Sequence, residues 1–165
     1  MIRSAVPADA GELARVFVAA WQQGYLDVVA ADVLDALDIE EWAAGFADLL
    51  RIGDLTSIVW ANGIEDVLGF AIFGAEPDTN SPTDGYLASL YVDPAASGRG
   101  IGTALLAQAL ESLTVQGRGE VSLWVFAENE RGRKLYERAG FVATGEATTD
   151  PRWRAPQVRY RRAAG

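Results

Sequence analysis

The chain has 165 residues, 50% of them hydrophobic and 22% charged, which is enough apolar material for one core and fits a single domain over 1–165. It contains no Cys and no His, which excludes disulfides, thiolate and imidazole metal sites, a Cys-thioester intermediate, and any His general base or Ser-His-Asp triad. The net charge of −9 is uneven: residues 1–96 hold three basic and 16 acidic side chains, a net −13, whereas residues 97–165 hold 11 basic and seven acidic ones, a net +4.

In chain order, residues 2–5 read as a short edge strand. Pro7 and Asp9 then supply first-turn helix signals, and Leu13, Val16, Phe17, Ala20 and Trp21 recur at helical spacing. A second helical stretch carries Val33, Leu34 and Leu37, then Trp42, Phe46, Leu49 and Leu50. Residues 56–61 and 67–74 alternate like strands about an Asn62-Gly63 turn and predict an antiparallel hairpin. A polar loop is expected over 76–85, and a strand over 86–92. Ile101, Leu105, Leu106, Ala109, Leu110 and Leu113 form the buried stripe of a further helix. A strand over 120–127 precedes Asn129, placed as a helix N-cap, with Gly140 as the left-handed stop. Two last strands follow, over 141–147 and 157–161. The order β-α-α-β-β-β-α-β-α-β-β predicts an α/β (α+β) layered domain with a mixed sheet of about seven strands flanked by four helices.

Gly98, Gly100 and Gly102 stand at every second position between the strand ending at Val92 and the helix carrying Leu105 and Leu106. Such glycines suit a sharp turn or close approach of another molecule, and free amides at a helix N-terminus favour an anion, commonly a phosphate. A P-loop is excluded because the only Lys is Lys134, and a dinucleotide G-x-G-x-x-G fails because Thr103 holds the third glycine position.

The stretch LYVDPAASGRGIGTALL, 90–106, resembles the acetyl-coenzyme A signature of the GCN5-related N-acetyltransferase (GNAT) superfamily. The resemblance implies that the main chain of Leu90, Tyr91 and Val92 pairs with the pantetheine arm. It also implies that the turn of Ser97, Gly98, Arg99, Gly100, Ile101, Gly102 and Thr103 binds the pyrophosphate. A second block, NERGRKLYERAGF over 129–141, resembles the same family, and its seven-residue spacing puts Asn129 and Tyr136 on one helix face. Element order extends the likeness to nearly the whole chain.

The family implies an acetyl-CoA-dependent N-acetyltransferase, in which an amine attacks the thioester directly with both substrates bound, Tyr136 protonates the leaving thiolate, and no metal takes part. The alternative is a GNAT-like acyl-CoA-binding module without turnover. Arg99, Arg131, Arg133 and Lys134 are candidates for the coenzyme phosphates. Ser97 departs from the family's usual Gln or Arg, and Tyr86 stands where many relatives carry a carboxylate. With a period of two, Tyr86, Ala88 and Leu90 should share one face. Asp27, Asp84, Glu128 or Glu146 would have to replace the missing base.

Trp21 and Tyr25 are candidates for the acceptor pocket beside Tyr86. The acidic first half favours a cationic amine, on a small molecule or a protein, and disfavours nucleic acid. No 18-residue apolar run occurs, so the expectation is a cytoplasmic monomer or homodimer without membrane association.

Overall fold

A computed structural model of the chain describes residues 1–77, 81–163 and 165. Strands β1 (Ile2–Ser4), β2 (Thr56–Ala61), β3 (Val67–Ala75), β4 (Gly85–Val92), β5 (Glu120–Phe126), β6 (Val142–Thr149) and β7 (Pro156–Ala163) form one sheet in the order β1-β2-β3-β4-β5-β7-β6. Every neighbouring pair is antiparallel except β4 with β5. The helices are α1 (Ala10–Gly24), α2 (Ala31–Asp35), α3 (Ile39–Ile52), α4 (Ile101–Val115) and α5 (Glu130–Arg138).

The expected architecture is present with one refinement. The second helical stretch divides into α2 and α3 because Asp38 adopts an extended backbone and its carboxylate accepts the Glu40 amide at 2.9 Å, an N-cap that starts a new helix. Within the loop expected over 76–85, positions 78–80 lie outside the described residues. Gly140, at φ 92°, follows α5 as the left-handed residue the sequence implied.

Two cores sandwich the sheet. Leu13, Val16, Phe17 and Trp21 of α1 and Phe46 of α3 pack on Val59, Phe70 and Ile72. On the opposite face Leu105 and Leu113 of α4 pack on Ala71, Phe73 and Leu123. Each such fully buried large side chain contributes about 1.5–3 kcal/mol of transfer free energy. The start of α1 is tied to β1 by a two-pronged ion pair. Arg3 donates to both oxygens of the fully buried Asp9 at 2.8 and 2.9 Å, and the Val6 amide donates to Asp9 at 2.8 Å.

Two irregularities of β4 position everything that follows. First, Ile72 pairs with Ser89 and Phe73 with Leu87, so Ala88 is an extra residue, a β-bulge. The simple alternation that put Tyr86 and Leu90 on one face is therefore corrected. Across the bulge the facing reverses, so Tyr91 joins the core under α1 while Leu87, Leu90 and Val92 join the core under α4. Second, β4 and β5 are paired only at Gly85–Val121 and Tyr86–Ser122. Beyond that point β4 continues along β3 and β5 along β7, and the sheet splits into a V.

Candidate functional site

The V opens into a cleft of about 780 Å³, lined by β4 from Leu87 to Val92, by β5 from Leu123 to Phe126, and by the turn and first residues of α4. The ends of α1 and α5 complete it, and its edge of β4 has no strand partner on the β5 side past Tyr86.

The glycine turn is shaped by the chain around it. Asp93 caps the short helical turn Pro94–Ala96 through the Ala95 amide at 3.0 Å, and Arg15 of α1 clamps the Asp93 carboxylate at 2.6 Å. Burial works against ionisation of Asp93, yet Arg15 and the Ala95 amide hold its carboxyl below the ordinary value. Arg15 also bonds Glu12 at 3.0 Å and the Val67 carbonyl at 2.8 Å, so the turn is anchored to α1 and β3. Gly98 and Gly100 have φ of 80° and 77°, a conformation that disfavours any residue with a Cβ. Gly100 supplies no side-chain cap to α4, and the amides of Gly98 and of Gly100 to Thr103 make no well-formed hydrogen bond to protein among the described residues. A run of free N–H groups at the positive end of a 15-residue helix is an anion cradle.

The residues expected in the site divide. Leu90, Tyr91, Val92, Ser97, Gly98, Gly100, Ile101, Gly102, Thr103, Asn129, Arg131, Tyr136, Trp21 and Tyr25 all line the cleft. Arg99, Arg133 and Tyr86 do not. Arg133 is engaged elsewhere, donating to the Tyr160 hydroxyl at 2.9 Å and to the Ala127 carbonyl at 2.8 Å. Asn129 caps α5 by accepting the Gly132 amide at 3.0 Å, and that cap fixes the first turn of the helix whose second turn presents Tyr136. The four carboxylates considered as bases lie outside the lining. Asp84 accepts the Glu120 amide at 2.9 Å, Glu146 pairs with Arg159 at 3.0 Å, and Asp27 and Glu128 are exposed. Among the described residues the cleft has no acidic lining side chain at all.

Sequence reasoning missed Trp124, Gln157 and Arg138 of the lining, and a buried polar group behind it. Arg159 donates to Glu76 at 2.9 Å, and the Ser122 hydroxyl donates to the same carboxylate. The Arg159 guanidinium stands 5.8 Å from the centre of the Trp124 ring, backing a side chain of the wall. Tyr86 sits at the apex of the V beside this pair; burial, then the Glu76 charge, push its phenol above the ordinary value. No local pattern announces this group, since Glu76, Ser122 and Arg159 come from three separate strand regions.

Three phenols line the cleft itself: Tyr25 just after α1, Tyr91 on β4 and Tyr136 on α5. Burial pushes all three up, Tyr91 to about 12, so at neutral pH each is a neutral hydroxyl able to donate a proton. Around them Trp21 meets Tyr25 at 5.1 Å, Phe126 at 5.5 Å and Trp153 at 4.7 Å between ring centres.

The family model of the acetyltransferase (GNAT) family matches residues 10–141, and the chain belongs to that family. It is an acetyltransferase by that membership. It is 30% identical over 129 residues to the uncharacterized N-acetyltransferase YuaI of Bacillus subtilis, covering 78% of this chain and 72% of that protein. Over 58 residues it is 49% identical to the mycothiol acetyltransferase of Beutenbergia cavernae, a stretch of 35% of this chain and 20% of that enzyme. Among solved structures, an N-acetyltransferase of Staphylococcus aureus Mu50 superposes with a TM-score of 0.76 at 22% identity, covering 100% of this chain and 98% of that one. The PaiA N-acetyltransferase of Thermoplasma acidophilum, solved with coenzyme A, gives 0.78 at 19% identity over 96% of each chain. These structural likenesses concern the fold. No helix among the described residues is long and apolar enough to cross a membrane.

Proposed function

We propose that the protein moves an acetyl group from acetyl-CoA to a primary amine by direct attack, with both substrates held in the cleft. The observation that carries this reading is that the amides of Gly98, Gly100, Ile101, Gly102 and Thr103, the unpaired edge of β4 and the Tyr136 phenol converge on one cavity. The amides from Gly98 to Thr103 would take the pyrophosphate, with Arg131 at the cleft margin and Arg138 beside it. The main chain of Leu90 to Val92 would pair with the pantetheine arm as an added strand, a mode that needs no particular side chains. A β4 amide near Leu90 would donate to the oxyanion of the tetrahedral intermediate. Tyr136, neutral because it is buried, would hand its proton to the leaving thiolate.

The acceptor side supports a cationic amine as the species that approaches. The segment from Asp27 to Glu41 carries Asp27, Asp32, Asp35, Asp38, Glu40 and Glu41 with no basic residue between them, a field that attracts cations by long-range steering. Incubation with acetyl-CoA and a panel of small amines and peptides, following free thiol, tests the reading. Thiol release that depends on the amine and is lost in Tyr136→Phe is the expected result. Tight coenzyme binding with no release above background for any amine would overturn it.

A further inference from the structure

Formal charge is divided unevenly inside the cleft. Phe126 pairs with Gln157 and belongs to the core under α1, and Trp124, two residues back along β5, shares that face, whereas Leu123 and Val125 belong to the core under α4. On the α4 side the described lining carries two cations, Arg131 and Arg138 of α5. On the α1 side it presents five aromatic rings, those of Trp21, Tyr25, Tyr91, Trp124 and Phe126, with Gln23 and Gln157 as its long polar side chains and no charged group among the described residues. Four of these rings touch one another. Between centres, Trp21 stands 5.1 Å from Tyr25, 5.5 Å from Phe126 and 6.5 Å from Tyr91, and Tyr25 stands 5.2 Å from Phe126.

The acids of the segment after α1 do not reach this half. Asp32 and Glu41 line a separate cavity of about 450 Å³, together with Trp42 and Trp153. Trp153 packs against Trp21 at 4.7 Å and stacks on Trp42 at 6.2 Å, so indole rings stand between the two spaces. Asp32 is moreover held by Arg154 at 2.5 Å.

Resting on the proposed acetyl transfer, we infer that the acceptor is a monoamine on an uncharged apolar body, an arylalkylamine foremost, and that amines bearing a carboxylate or a second ammonium are rejected. The body of such a molecule meets the rings of the α1 side through edge-to-face and offset contacts, and its single ammonium lies over a ring face before it gives up its proton. A carboxylate or second ammonium brought into this half loses its water and finds no opposite charge, the least favourable kind of burial. The acidic segment outside still draws the amine in, because long-range attraction sets the rate of encounter more than the fit. The transfer itself is unchanged: the C–N bond forms as the C–S bond breaks, and the proton that nitrogen loses is matched by the one that sulfur gains.

Matched amines test the inference, with thiol release followed at a fixed acetyl-CoA concentration. Phenylalanine is phenethylamine with one carboxylate added, phenylalaninamide supplies the same branch without charge, and 1,5-diaminopentane is pentylamine with a second ammonium. Phenethylamine and pentylamine should each show kcat/KM about 10²-fold above the charged partner, with phenylalaninamide within about tenfold of phenethylamine. Gln157→Glu places a carboxylate in this half, where Arg159 is already bound to Glu76 and Glu146. It should narrow the gap between pentylamine and 1,5-diaminopentane about tenfold and widen the gap between phenethylamine and phenylalanine. A preference under about tenfold in either pair overturns the acceptor class and leaves the transfer standing. The opposite failure is read without turnover, by calorimetric titration of the same amines into protein saturated with coenzyme A. There the two monoamines should bind at least about tenfold more tightly than their charged partners. That ranking with no thiol release from any amine overturns the transfer and keeps the ligand class. No binding of either monoamine, or no ranking, overturns the ligand class whichever other amine reacts.

Discussion

The two walls of the cleft are built on opposite principles. The wall proposed for the coenzyme is main chain: a strand edge, a turn of glycines, and the first amides of α4, with the conformation enforced by φ angles that only glycine adopts cheaply. The wall proposed for the acceptor is side chain: Trp21 from α1, Tyr25 just after it, Tyr91 from β4, Trp124 and Phe126 from β5, and Gln157 from β7. A main-chain site is local and tolerates most substitutions outside its glycines, whereas a side-chain wall changes with every residue in it. On the proposed assignment of the two walls, coenzyme use is the rigid property of this molecule and acceptor choice the adjustable one.

The largest test of that contrast lies where the walls meet. Tyr136→Phe should reduce kcat about 10²- to 10³-fold while leaving coenzyme affinity by calorimetry within twofold, because the proposed function gives the phenol the chemistry and the amides the binding. Burial raises this phenol above its ordinary value. The group therefore stays protonated through the ordinary phenol range, and kcat should show no alkaline fall up to pH about 10. Next in size is a control outside both walls. Asp9→Asn strands Arg3 beside a neutral amide and should cost about 3 kcal/mol in chemical denaturation while leaving both substrates' binding constants unchanged at neutral pH. Arg3 holds the Asp9 carboxyl below its ordinary value, so the contribution is present above the unfolded pKa, about 3.9, and is lost as pH falls through the folded value. Wild type should accordingly lose its stability advantage over the variant in acid.

On the coenzyme wall, Gly100→Val forces a branched side chain into φ 77° and should weaken coenzyme binding about tenfold, the equivalent of the roughly 1–2 kcal/mol left-handed cost. The acceptor KM should stay where it was. On the acceptor wall, Trp124→Ala should raise the acceptor KM about threefold to tenfold through lost aromatic contact, with the coenzyme constant unmoved. If Trp124→Ala changed coenzyme affinity more than Gly100→Val, the division between the walls would be wrong.

The same division explains what the sequence disclosed. The glycine turn, the Asn129 cap and the shared face of Asn129 and Tyr136 are short-range geometry, so residue type and spacing sufficed. The strands and the stripe of α4 were legible from period alone. The Asp38 cap was an available signal for the break between α2 and α3, but the helical spacing of the surrounding apolar residues masked it. Glu76, Ser122 and Arg159 meet only through sheet pairing, and nothing in the chain near any one of them points to the others. Basic charge and nearness to the motif make Arg133 a candidate phosphate ligand in the sequence, whereas in the fold it donates to the Tyr160 hydroxyl and the Ala127 carbonyl.

The single unpaired residue at Ala88 has an effect larger than its side chain. It offsets the strand's frame by one, so that aromatic Tyr91 is delivered to the acceptor face and aliphatic Leu90 to the other. Exchanging Ala88 for another amino acid leaves that frame intact; only loss or gain of a residue resets it, exchanging phenol for leucine at the heart of the cleft in one genetic step.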